Sequence, residues 1–376
     1  MSKLWDGSDS KTCPLIIVPS MTDHDLLNGV ISIVDPTAKS LQLLRKNGRI
    51  LLGLPEERTA ATKTLRLYQP QRTAARIVVG LVKQCINLGL ARFILPQTSI
   101  ETAPFPLEPP FPQVNRGTCG ILLGSPEHRV RRAIASYKTS TGWEVAKVAF
   151  GPDGWHVIQG EANTLLALPE NTAGAPKVLA LHRGQDISLM RMPHIEGAVL
   201  QQNASNKAVS ILDAWISDHA PKPMEEFCEW PLIQHALSRH LKAAAVTKHL
   251  SQLQLRPAVR HGDFARWNLL QTSDGNIMVL DWEWSTPCGM PGIDLVHLFA
   301  QDARLVNRLP AAEVVQSVQR SLQTPEYRAY LQKTGWGTDV ASAIVASIAF
   351  TVGAKQQANE EVLEAALHAW HHANHR

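Results

Sequence analysis

Residues 260–284 read R-H-G-D-F-A-R-W-N-L-L-Q-T-S-D-G-N-I-M-V-L-D-W-E-W. They carry a carboxylate (Asp263), a carboxamide five residues on (Asn268), and a second carboxylate (Asp281) beyond a short apolar stretch. Phosphoryl transfer from ATP needs a group that orients a hydroxyl and takes its proton, and hard oxygen ligands for magnesium. Asp263 is the candidate for the first, catalytic role. Asn268 and Asp281 are the candidate metal ligands. Leu269-Leu270 reads as a buried strand, Ser273-Asp274-Gly275-Asn276 as a hairpin turn and 277–280 as the return strand, so pairing would bring Asp281 back beside Asn268. An aspartate by itself more often caps a turn; the three residues at these offsets point to chemistry.

His261-Gly262-Asp263 with Asn268 resembles the catalytic loop of the protein-kinase-like fold. Gly262, where protein kinases usually carry Arg, and Asp281-Trp282-Glu283 are similar to one branch of it, the aminoglycoside phosphotransferase and choline kinase-like small-molecule kinases. That resemblance implies an ATP- and Mg²⁺-dependent phosphotransferase acting on a hydroxyl of a small molecule: a sugar, amino sugar or amino alcohol. Lys147, in Val145-Ala146-Lys147-Val148, resembles the family lysine that pairs the α- and β-phosphates, with Glu161 as its ion-pair partner. A lysine alternating with apolar residues on a strand also needs a charged partner. The turn 124–129 would cover the phosphates with backbone N–H groups, which makes Gly124 and Ser125 nucleotide-binding candidates, although it lacks G-x-G-x-x-G. Met190 and Met192 fall where the hinge is expected, with backbone toward adenine. His261 is expected to pack under the loop, Arg266 to be solvated or to reach a phosphate, and Asp294 to brace the loop or cap the next helix. The alternative is a catalytically inactive kinase-like module that binds or senses nucleotide. The complete set Lys147, Asp263, Asn268 and Asp281 argues against it. Gly262 and the lack of an A-P-E-like segment oppose a protein kinase.

The elements that must position these residues are expected to form an α+β, protein-kinase-like two-lobe fold. Residues 1–95 read as a small mixed α/β region of unassigned role. It would hold a strand at 30–34, a helix opened by Asp35-Pro36 that carries Leu41, Leu43 and Leu44, strands at 50–54, 64–68 and 92–95, and an amphipathic helix at 73–90. Residues 96–113 contain six prolines and read as a linker or strap. Residues 114–195 read as a small antiparallel lobe of five strands (120–123, 130–137, 143–150, 178–181, 187–192) with one helix at 157–168. Residues 196–376 read as a large helical lobe holding the catalytic loop, with helices at 199–216, 230–253, 294–305, 311–322, 341–352 and 360–373.

The 376 residues can bury a large core, and a net charge of +4 gives no argument for a nucleic-acid or membrane partner. Five cysteines without a C-x-x-C pair suit a reducing compartment. No signal-like run and no membrane-length apolar stretch is seen, so a cytoplasmic location is expected. For the acceptor, Trp282 and Trp284 could line a site and Glu225, Glu226 and Glu229 could attract a cation, against plain packing and solvation. His368, His371, His372 and His375 form a tail that reads as a solvated helix end more than a metal site.

Overall fold

The computed structural model describes residues 21–70, 73–102, 111–124, 130–184, 186–201, 205–355 and 360–374. Helix α1 (Asp23–Val34) starts from a capping box in which Thr22 Oγ1 accepts the Asp25 N–H at 3.1 Å and Asp25 Oδ2 accepts the Thr22 N–H at 2.8 Å. The run 30–34, expected as a strand, is the end of this helix and is wholly buried. Asp35 ends α1 rather than opening the next helix: its N–H bonds Ile31 O, and its carboxylate accepts from Thr37 Oγ1 at 2.6 Å and from Gly117 N at 3.0 Å. Leu41 and Leu43 then alternate into the core on β1 (Ser40–Lys46), which pairs with β2 (Arg49–Leu54). Asn47 and Gly48, with φ of 52° and 78°, make the two-residue hairpin turn, since left-handed residues match strand twist there.

Helix α2 (Arg58–Arg66) replaces the strand expected at 64–68; the Glu57 carboxylate caps it, accepting from Thr59 N at 2.9 Å and Ala60 N at 2.6 Å. The amphipathic α3 (Thr73–Asn87) is as expected, and 92–95 belongs mainly to a helical turn, α4 (Ala91–Ile94). Next come β3 (Gln97–Ser99), β4 (Gly120–Leu123), β5 (Arg131–Lys138), β6 (Trp143–Phe150), α5 (Gly154–Ala167), β7 (Ala180–Arg183) and β8 (Ile187–Pro193). The five strands expected for the small lobe are all present, in the order β4-β5-β6-β8-β7 and antiparallel throughout. Pairing continues past β4: β2 pairs with β4 at Leu52↔Leu122 and Gly53↔Ile121. Among the described residues one sheet of eight strands results, β3-β1-β2-β4-β5-β6-β8-β7. Helix α1 covers one face of it through Leu26, Leu27, Val30 and Ile31, packed with Ile121, Ala135 and Val148. Helices α2 and α3 pack with Leu52, Leu54 and Leu122. Residues 103–110, which hold four of the six prolines of the segment 96–113, lie outside the described residues.

The larger half is mainly helical. It holds β9 (Ala198–Val199), α6 (Ser205–Ala214), β10 (Lys222–Pro223), α7 (Trp230–Ser238), α8 (Ala244–Ser251), β11 (Gln254–Leu255), β12 (Ala258–Arg260), β13 (Leu269–Gln271), β14 (Ile277–Val279) and β15 (Thr286–Gly289). Helices α9 (Ile293–Gln301), α10 (Ala311–Ser321), α11 (Pro325–Lys333), α12 (Val340–Lys355) and α13 (Glu360–Asn374) complete it. The single helix expected over 230–253 is two, because the chain turns at His240 and Ala243, whose N–H groups bond Leu237 O and His240 O. Helix α12 is apolar on every side and packs against α7, α9 and α13 in the core. Together the sheet lobe and the helical lobe give the two-lobed α+β architecture expected from the sequence. No helix among the described residues is long and apolar enough to cross a membrane.

Candidate active site

Strand β6 lies inside the sheet, between β5 and β8, so its side-chain alternation is fixed by two ladders. Ala146 and Val148 are buried on one face; Lys147 takes the other, opposite Ile134 and Met190. Helix α5 brings Glu161 to it. Lys147 Nζ is 2.7 Å from both Glu161 carboxylate oxygens and 3.0 Å from Asp281 Oδ1. Glu161 also accepts the Trp282 N–H at 3.1 Å, which ties α5 to the turn after Asp281. Burial works against the Lys147 charge, but Asp281 and Glu161 outweigh it and raise its pKa well above the usual lysine value. Burial drives the Glu161 carboxyl up despite Lys147. For Asp281 burial acts the same way, and the Lys147 ammonium overcomes it and holds the carboxyl below its usual range.

The hairpin expected between Asn268 and Asp281 forms. Leu269 pairs with Val279, Leu270 with Met278 and Gln271 with Ile277. The ladder closes where the Leu280 N–H bonds Asn268 O at 2.8 Å, which sets Asp281 next to Asn268. Asp281 has φ of 66°, a left-handed conformation that costs about 1–3 kcal/mol for a non-glycine residue and clusters at functional sites. It turns the carboxylate toward Lys147.

On the loop itself, Asn268 Nδ2 donates to Asp263 O at 2.9 Å and to Asp263 Oδ2 at 3.1 Å. This leaves Asn268 Oδ1 as its acceptor end. With the Asp281 carboxylate it makes a pair of hard oxygen donors, which fits magnesium, an ion that completes its octahedron with water and nucleotide phosphates. No group of three or more His, Cys, Asp or Glu among the described residues could hold a metal by itself.

His261 is buried, and both ring nitrogens are engaged. Nε2 donates to Leu280 O at 2.9 Å and Nδ1 accepts the Asp263 N–H at 3.3 Å. Burial pushes its pKa down, so the neutral ring is a brace between the hairpin and the loop, and it has no free nitrogen for proton transfer. Asp294 braces the same loop, accepting the N–H groups of His261 at 2.6 Å and Gly262 at 2.8 Å. Arg266 is neither solvated nor open to a phosphate: it forms an ion pair with the buried Asp302.

A cavity of about 210 Å³ opens beside Lys147, lined also by Leu122, Gly124, Arg132, Ile134, Val157, Glu161, Asp281 and Glu283. Gly124 closes its edge, with its N–H on Arg132 O at 2.8 Å; a Cβ there would lie 2.8 Å from that oxygen. Ser125 and the rest of the turn 124–129 lie outside the described residues. The hinge expectation narrows at Met190; Met192 lies one residue past the last β7 pair, Ala180↔Arg191, and pairs with Val145 on β6 alone. Both side chains are buried in the apolar core. Met190 sits mid-ladder, between Lys147 on β6 and Leu181 on β7, so its backbone has no edge to offer. The chain leaves the sheet only after Pro193. There Glu196 meets Lys63 of α2 in an ion pair, and Lys63 Nζ sits 5.0 Å above the Trp143 ring.

Trp282 is fully buried, its Nε1 donating to Val279 O at 2.8 Å, with its ring against Trp215 and His261; Trp284 is 44% exposed. Glu229 is buried against Arg260, while Glu225 and Glu226 are exposed, so the three form no single acidic patch. His371 donates to Lys242 O at 2.9 Å and His368 and His372 are exposed, while His375 lies outside the described residues.

Three contacts had no signal in the sequence reading: the Arg132–Glu283 ion pair across the cavity, Asp302 on Arg266, and His297, whose Nε2 lies 3.1 Å from Asp263 Oδ1. Each joins residues at least 34 positions apart, and neither partner stands in a motif with the other.

Residues 197–331 match the model of the phosphotransferase enzyme family, APH. This span contains Asp263, Asn268 and Asp281, while Lys147 and Glu161 precede it. The match bears out the resemblance read from residues 260–284. No curated protein sequence matches the chain. Among solved structures, a thermostable mutant of the aminoglycoside phosphotransferase APH(4)-Ia, in complex with ADP and hygromycin B, is similar at 12% identity and a TM-score of 0.42, over 68% of this chain and 94% of that one. Choline kinase LicA from Streptococcus pneumoniae is similar at 16% identity and 0.40, over 63% and 89%. An ethanolamine kinase from Plasmodium vivax is similar at 12% and 0.41, over 65% and 79%.

Proposed function

We propose that this protein transfers the γ-phosphoryl group of ATP to a hydroxyl of a small molecule, with Asp263 as the base. One observation carries the reading. A half-buried ammonium, Lys147, bridges Glu161 and Asp281, and one hairpin sets Asp281 beside the hydrogen-bonded pair Asn268–Asp263. Charge for a polyphosphate and a carboxylate for a hydroxyl are thus linked through Asp281 and the hairpin. Lys147 pairs the α- and β-phosphates, and Glu161 holds it in place. Asn268 and Asp281 would hold magnesium, which when bound supplies charge neutralisation for the phosphates. The acceptor hydroxyl gives its proton to Asp263 as its oxygen bonds the γ-phosphorus and the bond from that phosphorus to the ADP oxygen breaks. Transfer of this kind is mainly positioning and electrostatics, so one placed carboxylate suffices.

The acceptor is a sugar, an amino sugar or an amino alcohol. The family match at 197–331 supports the class of reaction, and the choice among these acceptors rests on the resemblance at 260–284. The test is a screen of such alcohols with Mg-ATP, coupled to ADP release, on wild type and Asp263→Asn. Turnover of at least one acceptor that Asp263→Asn abolishes is expected. No turnover together with a thermal shift by ATP that does not depend on magnesium would leave the inactive nucleotide-binding module in its place.

A further inference from the structure

Helix α9 meets the catalytic loop at three places along its length. Asp294, in its first turn, accepts two backbone N–H groups of the loop. Asp302, just past its end, pairs with Arg266. Between them is His297, three residues after Asp294 and so on the same face. Its ring is buried, with 4% of the residue exposed, and it contacts the Asp263 side chain itself: Nε2 is 3.1 Å from Oδ1. The other carboxylate oxygen, Oδ2, takes Asn268 Nδ2 at 3.1 Å. An ionised carboxylate can only accept, so His297 Nε2 carries a proton and donates it. A small cavity of mixed character adjoins the ring, lined by Val296, Val314 and Ile348 as well as Gln301, Ser347 and Thr351, with room for about one water.

The terminal torsion of an aspartate is broad and roughly two-fold, so a carboxylate held at one oxygen still swings. Held at both, its plane is set. We propose that His297 is a positioning residue for Asp263: with Asn268 it fixes the carboxylate plane relative to the acceptor hydroxyl. The inference rests on Asp263 being the base. In the transfer step Asp263 takes the hydroxyl proton while the O–P bond forms and the bond to ADP breaks. His297 keeps its proton throughout and touches neither substrate.

The test compares His297→Leu with His297→Gln, whose amide nitrogen can stand where Nε2 stands and donate the same bond. A hydrogen bond to a charged group corresponds to a roughly ten- to hundred-fold loss when removed. His297→Leu should lose about that much in kcat while the Kd for Mg-ATP, read by calorimetry, stays within about two-fold. His297→Gln should recover to within about three-fold of wild type. Thermal unfolding of both variants confirms that they fold. Wild-type kcat in His297→Leu, or equal losses in two folded variants, would overturn the proposal. If the wild-type protein transfers phosphate to no acceptor, the functional reading fails separately. The positioning claim is then read from a crystal structure of His297→Leu, where an unmoved Asp263 carboxylate plane would overturn it.

Discussion

Replacing Lys147 by Met should have a stability cost whose size depends on pH in a way set by Glu161. In the wild type the ammonium makes three hydrogen bonds, two to Glu161 and one to Asp281. Methionine keeps most of the volume and none of the charge. Glu161, with only 4% of its side chain exposed, then keeps the Trp282 N–H at 3.1 Å. An unpaired buried carboxylate costs about 3–5 kcal/mol. Glu161 can escape that cost by taking a proton, and the price of protonation has a ceiling. From an ordinary glutamate value of 4.5, pH 7 lies about 2.5 pH units higher, or about 3.4 kcal/mol at roughly 1.36 per unit. At pH 5.5 the gap is about 1 unit and the ceiling about 1.4 kcal/mol. Burial already raises the native pKa of Glu161 above its unfolded value in the wild type, and losing Lys147 raises it further, so the variant loses more stability than the wild type as pH rises and regains it as pH falls. Asp281 shifts the other way: its contribution is present above its usual value of 3.8 and is lost only as pH falls below that, outside this window. Urea unfolding at pH 7 and 5.5 measures the effect. Lys147→Met should be up to about 3 kcal/mol less stable than wild type at pH 7 and up to about 2 kcal/mol closer to it at pH 5.5. Lys147→Met combined with Glu161→Gln should regain most of the loss at pH 7. A difference equal at both pH values, or below about 1 kcal/mol at pH 7, would refute the reasoning that Glu161 is a buried charge held by this lysine.

Asp263→Asn should lower transfer by about 10²–10⁴-fold and leave the Kd for Mg-ATP within about two-fold, as read by ADP release and calorimetry. Asp281→Ala should abolish the magnesium-dependent part of the ATP-induced thermal shift; an unchanged shift would remove Asp281 from the ligand set. Gly262→Ala should destabilise by about 2–5 kcal/mol in urea unfolding. Gly262 has φ of 84°, and an added Cβ would lie 2.6 Å from Trp284 O and 2.5 Å from Arg260 Nη1. Asp23→Asn tests the tie between α1 and the sheet. Burial pushes the Asp23 carboxyl up, but Arg49 and Arg131 outweigh it and hold it low, so its contribution is present above about 3.8 and lost as pH falls through its native value. The variant should be about 1–3 kcal/mol less stable at pH 7, and the gap should shrink below about pH 3.8.

The chemistry was legible where it is local. Asp263, Asn268 and Asp281 stand within nineteen positions, joined by a hairpin whose turn residues announce it, and the structure brings them together as their spacing predicts. Lys147 was legible because a charge alternating with Val145, Ala146 and Val148 on a central strand must find a partner, and α5 follows at once to supply Glu161. Periodicity alone could not choose between helix and strand for the short apolar runs. At 30–34 the β-branched run suggested a strand, yet the capping box at Thr22 and Asp25 started a helix and burial on all sides completed it. At 41–44 the same ambiguity resolved the other way, through the Asn47-Gly48 turn and pairing with β2. What only the tertiary structure decided depends on neighbours remote in sequence. The sheet runs on from β4 into the strands of the first hundred residues, Met190 sits in the core because β7 closes the ladder beside it, and α9 brings His297 to Asp263. A sequence pattern reports the faces of one element; which faces meet is settled by burial and hydrogen bonding between elements, and that is where the support of this site was built.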